Sequence, residues 1–310
     1  MGKQRIVVTG GAGFIGSHLV ASLVERGDDV VVIDTLLRGN KITKDVFSQV
    51  EFHRVDVSDE QKVASITKGA DMIYHFAAIL GVDIVADNPI ETMETEVNGM
   101  QSVAKAAIEN GIKKIVYAST SGVYGHLALE RSVDEEILVD PRTSYAMAKR
   151  YNEIYLASLF EEKGIHSVAL RFFNVYGLRQ DNRMVIPRFF EQAIENNPIT
   201  VYGSGEQTRD FTYVEDAVKA SIMLGDKVKG FEIFNVANER ESTIGELAEI
   251  IKQMSNSSSE IKYINAPKKR YDYEVGRRYG SSAKLEQFID YKPNTDLQAG
   301  LDVIFKAMRD

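Results

Sequence analysis

Tyr145 and Lys149 stand four residues apart in Ser144-Tyr145-Ala146-Met147-Ala148-Lys149, a spacing that puts both on one face of a helix. A phenol beside an ammonium is a candidate acid–base pair. An ordinary tyrosine loses its proton near pH ~10, so a tyrosinate at neutral pH costs about 4 kcal/mol, and an adjacent cation is a natural source of that energy. By itself Tyr-x-x-x-Lys also occurs on surface helices with no such role. Its weight comes from Ser119-Thr120-Ser121, with Thr120 lying 25 residues before the tyrosine. A hydroxyl there can hydrogen-bond the oxygen whose proton the tyrosine takes.

A second constellation opens the chain. Thr9-Gly10-Gly11-Ala12-Gly13-Phe14-Ile15-Gly16 directly follows a short β-branched run and begins a helical stretch. Glycines at 10, 13 and 16 permit a tight turn and close backbone approach, with the helix amino terminus facing a pyrophosphate. Asp34 ends the next apolar run, 24 residues after Gly10, where a carboxylate accepts hydrogen bonds from a ribose. It also repels a 2′-phosphate, which favours NAD over NADP, while nearby Arg38 acts in the opposite sense. A glycine-rich turn with no ligand is the bland reading. The order strand, turn, helix, terminal acid argues against it, so NAD is the expected cofactor. Its positive nicotinamide ring joins Lys149 as a source of stabilisation for a tyrosinate.

These residues need a frame to hold them. Arg5 to Thr9, Val30 to Asp34, Phe52 to Asp56, Met72 to Phe76, Ile115 to Ala118 and Val168 to Phe172 read as strands with helical stretches between them. That alternation predicts an α/β fold: a doubly wound parallel sheet covered on both faces. After about residue 175 the rhythm changes. A helix at Ile186 to Asn196, a strand at Ile199 to Tyr202, helices near 213–224 and 243–254 and a strand at Phe231 to Val236 suggest a smaller substrate domain. The expected division is 1–175 for the dinucleotide and 176–310 for the substrate, with some late segments returning to the main sheet. Ser255 to Ser259 reads as a surface loop.

Composition narrows the chemistry. The 310 residues include no cysteine, which removes disulfides, thiolate nucleophiles and cysteine-ligated zinc, and five histidines show no close ligand spacing, so no metal is expected. A formal net charge of −8 makes nucleic acid an unlikely general partner, although clustered arginines can still hold a small anion in one cleft. No apolar run approaches the ~18 to 20 residues of a membrane span, and charge followed at once by a strand leaves no secretory signal. A cytoplasmic location is the expectation.

With these residues in place, the chain resembles the extended short-chain dehydrogenase/reductase family, and within it the nucleotide-sugar epimerase branch related to UDP-glucose 4-epimerases. The resemblance runs nearly end to end, on GGAGFIGSHL (10–19), Asp56-Val57, HFAA (75–78), STSGVYG (119–125), YAMAK (145–149), RFFNVYG (171–177), TRDFTYVEDA (208–217) and FNVAN (234–238). It implies a Rossmann sheet and a nucleotide-diphosphate sugar as substrate. It implies that Gly10, Gly13, Phe14, Ile15 and Gly16 line the NAD pyrophosphate, Asp34 the adenosine ribose, and Asp56 with Val57 the adenine. Phe76, Ala77 and Ala78 would border the cofactor midway, and Phe172 would lie by the nicotinamide. Tyr145 and Lys149 would be the catalytic pair, Lys149 also holding the nicotinamide ribose, with Thr120 and Ser121 at the reacting sugar. Asn174, Tyr202, Arg209 and Arg270 would bind the sugar nucleotide. Arg179 follows Gly177-Leu178 where relatives acting on glucuronates read Gly-Pro-Arg; it would meet a sugar carboxylate or the diphosphate. Helices near 92–110 and 145–163 resemble the family's homodimer interface, though their apolar faces would equally suit the sheet. Taken singly, Tyr124, Phe172, Phe173 and Tyr176 read as core, and His75 as a structural histidine.

Departures from the family pattern matter for the reaction. Its Asn-Val-x-Gly-Thr reads Glu96-Val97-Asn98-Gly99-Met100, so a cofactor-side asparagine is replaced by Glu96. Leu80 stands where galactose epimerases often carry lysine. The late Arg-x-x-Asp pair falls on Lys269 to Asp272 or on Arg270 in another register, and either Gly276 or Arg278 borders the sugar. Dehydratases need an Asp-Glu pair after the threonine, and decarboxylases usually have glutamate where Gly122 stands; here Ser121-Gly122 supplies no acid. Epimerisation needs only Thr120, Tyr145 and Lys149, so a 4-epimerase is the expectation. The alternatives are a nucleotide-sugar 4-dehydrogenase or reductase and a catalytically silent NAD-binding partner.

Overall fold

A computed structural model describes residues 2–78, 87–126, 132–265 and 276–309. The first half alternates as expected: β1 (Arg5–Thr9), α1 (Phe14–Arg26), β2 (Asp29–Asp34), α2 (Lys44–Phe47), β3 (Glu51–Arg54), α3 (Glu60–Ile66) and β4 (Met72–His75). It continues through α4 (Pro89–Asn110), β5 (Lys114–Thr120), α5 (Ser144–Lys163), β6 (His166–Phe172) and β7 (Val175–Tyr176). The second half adds α6 (Val185–Ile194), β8 (Ile199–Tyr202), β9 (Thr208–Asp210), β10 (Thr212–Tyr213), α7 (Val214–Lys227) and β11 (Phe231–Val236). Last come β12 (Glu241–Thr243), α8 (Ile244–Met254), β13 (Ile261–Ile264), α9 (Ala283–Ile289) and α10 (Leu297–Arg309).

Seven strands form one parallel sheet in the order β11-β6-β5-β4-β1-β2-β3. Near-continuous apolar strands demand cover on both faces, and the period of two decides which residue goes where. Ile6, Val8, Val30, Val32 and Tyr74 face Leu19, Leu23, Val214 and Val218 of α1 and α7. Their neighbours Val7, Val31, Ile33, Ile73 and Ile115 face Met100, Val103, Leu156 and Leu159 of α4 and α5. The strand order reverses between β1 and β4, which opens the crevice where ligands of such sheets bind, beyond the strands' carboxyl ends. Thr9, Asp34, His75, Thr120 and Phe172 all end their strands at that edge.

A smaller layer has its own core of Phe189, Phe190, Val201, Phe211, Leu247, Ile251 and Leu301, drawn from α6, β8, α8, α10 and the β9–β10 segment. It is tied by two-stranded pairings of β8 with β13 and β9 with β12. The chain then re-enters the main sheet, where β11 pairs in parallel with β6 over six residues. Phe52 to Asp56 is shorter as a strand than its pattern suggests. Asp56 instead folds its carboxylate onto the Ser58 amide at 2.9 Å and hydroxyl at 2.7 Å, a local turn that competes with the sheet ladder.

Candidate active site

Thr143 caps α5 by accepting the Ala146 amide at 3.0 Å, which places Tyr145 in the first turn and Lys149 one turn deeper on the same face. Lys149 is wholly buried. Its Nζ lies 2.9 Å from Glu96 Oε2, also wholly buried, and sits 4.7 Å from the Tyr117 ring centre and 5.3 Å from that of Tyr145. The ammonium was expected to acidify the tyrosine. In the protein alone its charge is instead matched by Glu96, and burial, followed by the Glu96 charge, holds the Tyr145 phenol well above its ordinary value. Thr120 ends β5 beside Phe172 of β6. Its Oγ1 accepts the Gly122 amide at 3.1 Å, leaving its own proton available for another oxygen. Ser121 is buried in the 3-10 turn that follows.

At the mouth of β1 the glycine loop meets the demands of a pyrophosphate. A Cβ on Gly16 would lie 2.1 Å from the Gly10 carbonyl oxygen, and Gly10, at φ +69°, would press on the Ala77 amide at 2.6 Å. α1 opens at Gly13 with no side-chain cap and no acid in its first turn, so the amides of Phe14, Ile15 and Gly16 face outward for an anion. Asp34 accepts from the Ala12 amide at 3.0 Å and the Leu36 amide at 2.8 Å; burial raises its pKa, opposed by these amides. Phe76 packs edge-on to Phe172 at 5.9 Å, and Thr9 Oγ1 receives the Ala77 amide at 3.2 Å. Ala78 continues that segment at partial exposure, and Val57 is buried beneath α4. These residues fit a dinucleotide. His75, paired with Thr9 at 2.8 Å and stacked on Tyr117, is kept neutral: burial, then Lys149, pushes it down to about 3.

The residues expected on the substrate side lie around the smaller layer. Asn174 accepts the Thr212 amide at 3.1 Å, and Tyr202 lies under the Arg188 guanidinium at 5.0 Å. Arg209 donates to the Thr208 carbonyl at 2.7 Å. The segment from Gly276 runs along β9: Thr208 donates to the Gly276 carbonyl and Asp210 to that of Arg278, each at 3.0 Å, so both residues border this edge. Asp210 is buried, accepts the amides of Asn238 at 2.9 Å and Glu239 at 3.1 Å, and is pushed up to about 7 by burial. It ties loops together. Arg179, at φ +65°, turns to the first helix and donates to the Ser17 carbonyl at 3.2 Å and hydroxyl at 3.4 Å. This contact places Arg179 against the first turns of α1. Arg270, Lys269, Asp272 and Leu80 lie outside the described residues.

Residues 6–237 match the model of the NAD dependent epimerase/dehydratase family. The chain belongs to this family. It is 36% identical, over 96% of each chain, to a UDP-N-acetyl-alpha-D-glucosaminuronate decarboxylase of Bacillus cytotoxicus. Among solved structures it superposes with TM-score 0.92 on a UDP-N-acetylglucosamine 4-epimerase of Methanobrevibacter ruminantium in complex with UDP-N-acetylmuramic acid, at 31% identity over 100% of this chain and 99% of that one. It superposes equally, TM-score 0.92 at 29% identity over 98% of each, on the UDP-glucose 4-epimerase of Thermotoga maritima with UDP-glucose. NAD is thus the cofactor, and nucleotide sugars are the substrate class of the family.

Several residues that tie the elements around the site together were not singled out from the sequence. Asn152 donates to the Glu96 carbonyl at 3.1 Å and to the Tyr117 hydroxyl at 2.8 Å, joining α5 to α4 and β5. Glu153 takes Arg171 at 2.9 Å through two oxygens and Ser119 at 2.6 Å. Arg277 clamps Glu241 at 2.6 and 2.7 Å beside β9. One signal was available: Asn152 and Glu153 stand three and four residues after Lys149, on the face already assigned to the site. Tyr124, Phe173 and Tyr176 are core, each 1% exposed or less. No helix among the described residues is long and apolar enough to cross a membrane.

Proposed function

We propose that the chain is an NAD-dependent nucleotide-sugar 4-epimerase. The observation that carries this reading is the absence of a free acid beside Thr120 and Tyr145 among the described residues. Gly122 occupies the position where elimination or decarboxylation would need a carboxylate, and the two buried carboxylates nearby are committed, Glu153 to Arg171 and Glu96 to Lys149. Bound NAD supplies the hydride acceptor and donor, and a positive ring that favours the phenolate. Tyr145, as phenolate, takes the proton of the sugar hydroxyl at its Oη and returns it at the end of the cycle. Thr120 donates its hydroxyl proton to the same oxygen and fixes its direction. Lys149 is the proposed ligand of the nicotinamide ribose. The smaller layer, with Asn174, Tyr202 and Arg209, is the proposed seat of the nucleotide and diphosphate, and the ketone must turn over there before the hydride returns. Of the two readings of Arg179, its contact with Ser17 favours a phosphate over a sugar carboxylate. Incubation with UDP-, GDP- and TDP-sugars should yield the 4-epimer by NMR with no lasting absorbance at 340 nm. Accumulating 4-ketosugar, or released carbon dioxide from a uronate, would overturn the reading in favour of a dehydrogenase or decarboxylase.

Asp34 is the proposed ribose ligand, its two oxygens held by backbone amides with lone pairs to spare. The protein should bind NAD at least about tenfold more tightly than NADP, which is ~1.4 kcal/mol. Equal affinities in a calorimetric titration would mean that Arg38 accepts the 2′-phosphate.

We also propose a homodimer built on α4 and α5. The sheet-facing sides of these helices are already filled, yet Ile90, Met93, Met147, Tyr151 and Ile154 remain exposed, the last three at one helical spacing. A second copy presenting the same stripe would cover them. Ile154, 54% exposed, is the probe. Ile154→Glu should convert a dimer to a monomer in sedimentation velocity, and a wild-type monomer at micromolar concentration would remove the proposal.

A further inference from the structure

The buried pair of Glu96 and Lys149 is unusual in where it lies. Each side chain has no exposed surface, and the two face each other at 2.9 Å. Removing either partner would leave the other's charge buried without its counterion. The geometry is built rather than incidental. Asn152, on the same helix as Lys149, grips the Glu96 carbonyl. One turn beyond Glu96, Gly99 lets α4 press onto β4 and the Val57 segment, where a Cβ would lie 2.8 Å from Val57 Cγ1. The carboxylate is thereby seated beside the ammonium that the catalytic tyrosine faces.

We propose that Glu96 is a positioning residue for the proton-transfer step: by pairing with the Lys149 ammonium it withholds that charge from the Tyr145 phenol and sets the pH above which Tyr145 can act as a base. The inference rests on Tyr145 being the base. From β5, Tyr117 lies under Lys149 as a neutral phenol, held far from ionisation by burial and then by Glu96. From β4, His75 is neutral. On α5 itself, Arg150 is spent on Glu153, which also takes Arg171 from β6. Glu96, from α4, pairs with the Lys149 ammonium at 2.9 Å. An asparagine at this position, as in the family pattern, would hold Lys149 without cancelling its charge.

The sign follows directly. A negative charge beside the pair disfavours the phenolate, so it raises the pH at which turnover sets in. Glu96→Gln keeps an oxygen for the lysine but removes that charge. It should move the acidic limb of the pH profile of kcat/KM downward by about one pH unit, a nearly tenfold gain in relative rate on the low-pH side. Glu96→Asp keeps the charge and should leave the limb within a few tenths of wild type. The second readout needs no turnover: the 13Cζ resonance of Tyr145 in tyrosine-labelled, cofactor-free protein, assigned by its loss in Tyr145→Phe, should titrate correspondingly lower in Glu96→Gln. If that variant does not fold, the wild-type resonance still decides, since the inference requires ionisation above the ordinary tyrosine range and a midpoint below pH 9 would overturn it. An unmoved or raised titration in folded Glu96→Gln, with Tyr145→Phe inactive, would overturn this inference alone and leave Glu96 as a tie between helices. Turnover surviving in Tyr145→Phe would overturn the base assignment and this inference with it.

Discussion

Tyr145→Phe should lower kcat by ~10²- to 10⁴-fold while leaving the affinities for NAD and the nucleotide sugar within a few-fold of wild type. The substitution removes one oxygen and keeps the ring, whose centre lies 5.3 Å from the Lys149 ammonium in the first turn of α5. Packing, cap and lysine pair all persist, so the loss measures proton transfer alone, ~2.7 to 5.4 kcal/mol of barrier. Equilibrium titrations with both ligands and a turnover assay separate the two effects. Near-native turnover would assign the base elsewhere. A comparable loss of cofactor affinity would mean instead that the hydroxyl is a binding group.

Arg171→Met should destabilise the fold by ~3 to 5 kcal/mol, because it leaves the Glu153 carboxylate buried without its main partner. Arg171 is 1% exposed. Burial works against its charge, but the hydrogen bonds it donates to Glu153 outweigh this and keep it firmly protonated. Its third contact, at 2.9 Å, reaches the Tyr124 hydroxyl, which in turn donates to Asn235 at 2.7 Å, so one guanidinium links α5, β6, the turn after β5, and β11. The half-exposed Arg150, 3.0 Å from the same carboxylate, softens the effect toward the lower end of the range. Glu153→Met together with Arg171→Met should recover most of the loss, since an apolar pair of similar volume removes the orphaned charge. Denaturant midpoints of the two variants check both statements. A cost under about 1 kcal/mol in the single variant would show that Arg150 alone satisfies Glu153.

Local patterns settled much of this protein before any tertiary contact. Arg5–Thr9, Ile199–Tyr202 and Phe231–Val236 form with the limits their sequences suggest. Apolar runs bounded by glycine and polar turns leave little choice of period, and a glycine loop between strand and helix has one geometry that presents amides to a phosphate. Thr120, Tyr145 and Lys149 are proposed as the catalytic set for a related reason: residue type and spacing along a strand end and a helix face are both local.

What the sequence could not show is where charges end. Lys149 reads as the tyrosine's helper, yet Glu96, 53 residues upstream on another helix, is its nearest countercharge. Arg171 reads as a motif arginine and proves to be a buried partner of Glu153, and Arg179 donates to the Ser17 carbonyl of the first helix, 162 residues away. Coulomb energies depend on separation and local dielectric, and both are set only when distant segments are packed together and water is expelled. The sequence by itself determined the parallel sheet and the glycine loop that opens the first helix. The tertiary structure alone decided which ion each of these charges faces, because an ion pair between segments has no period along the chain.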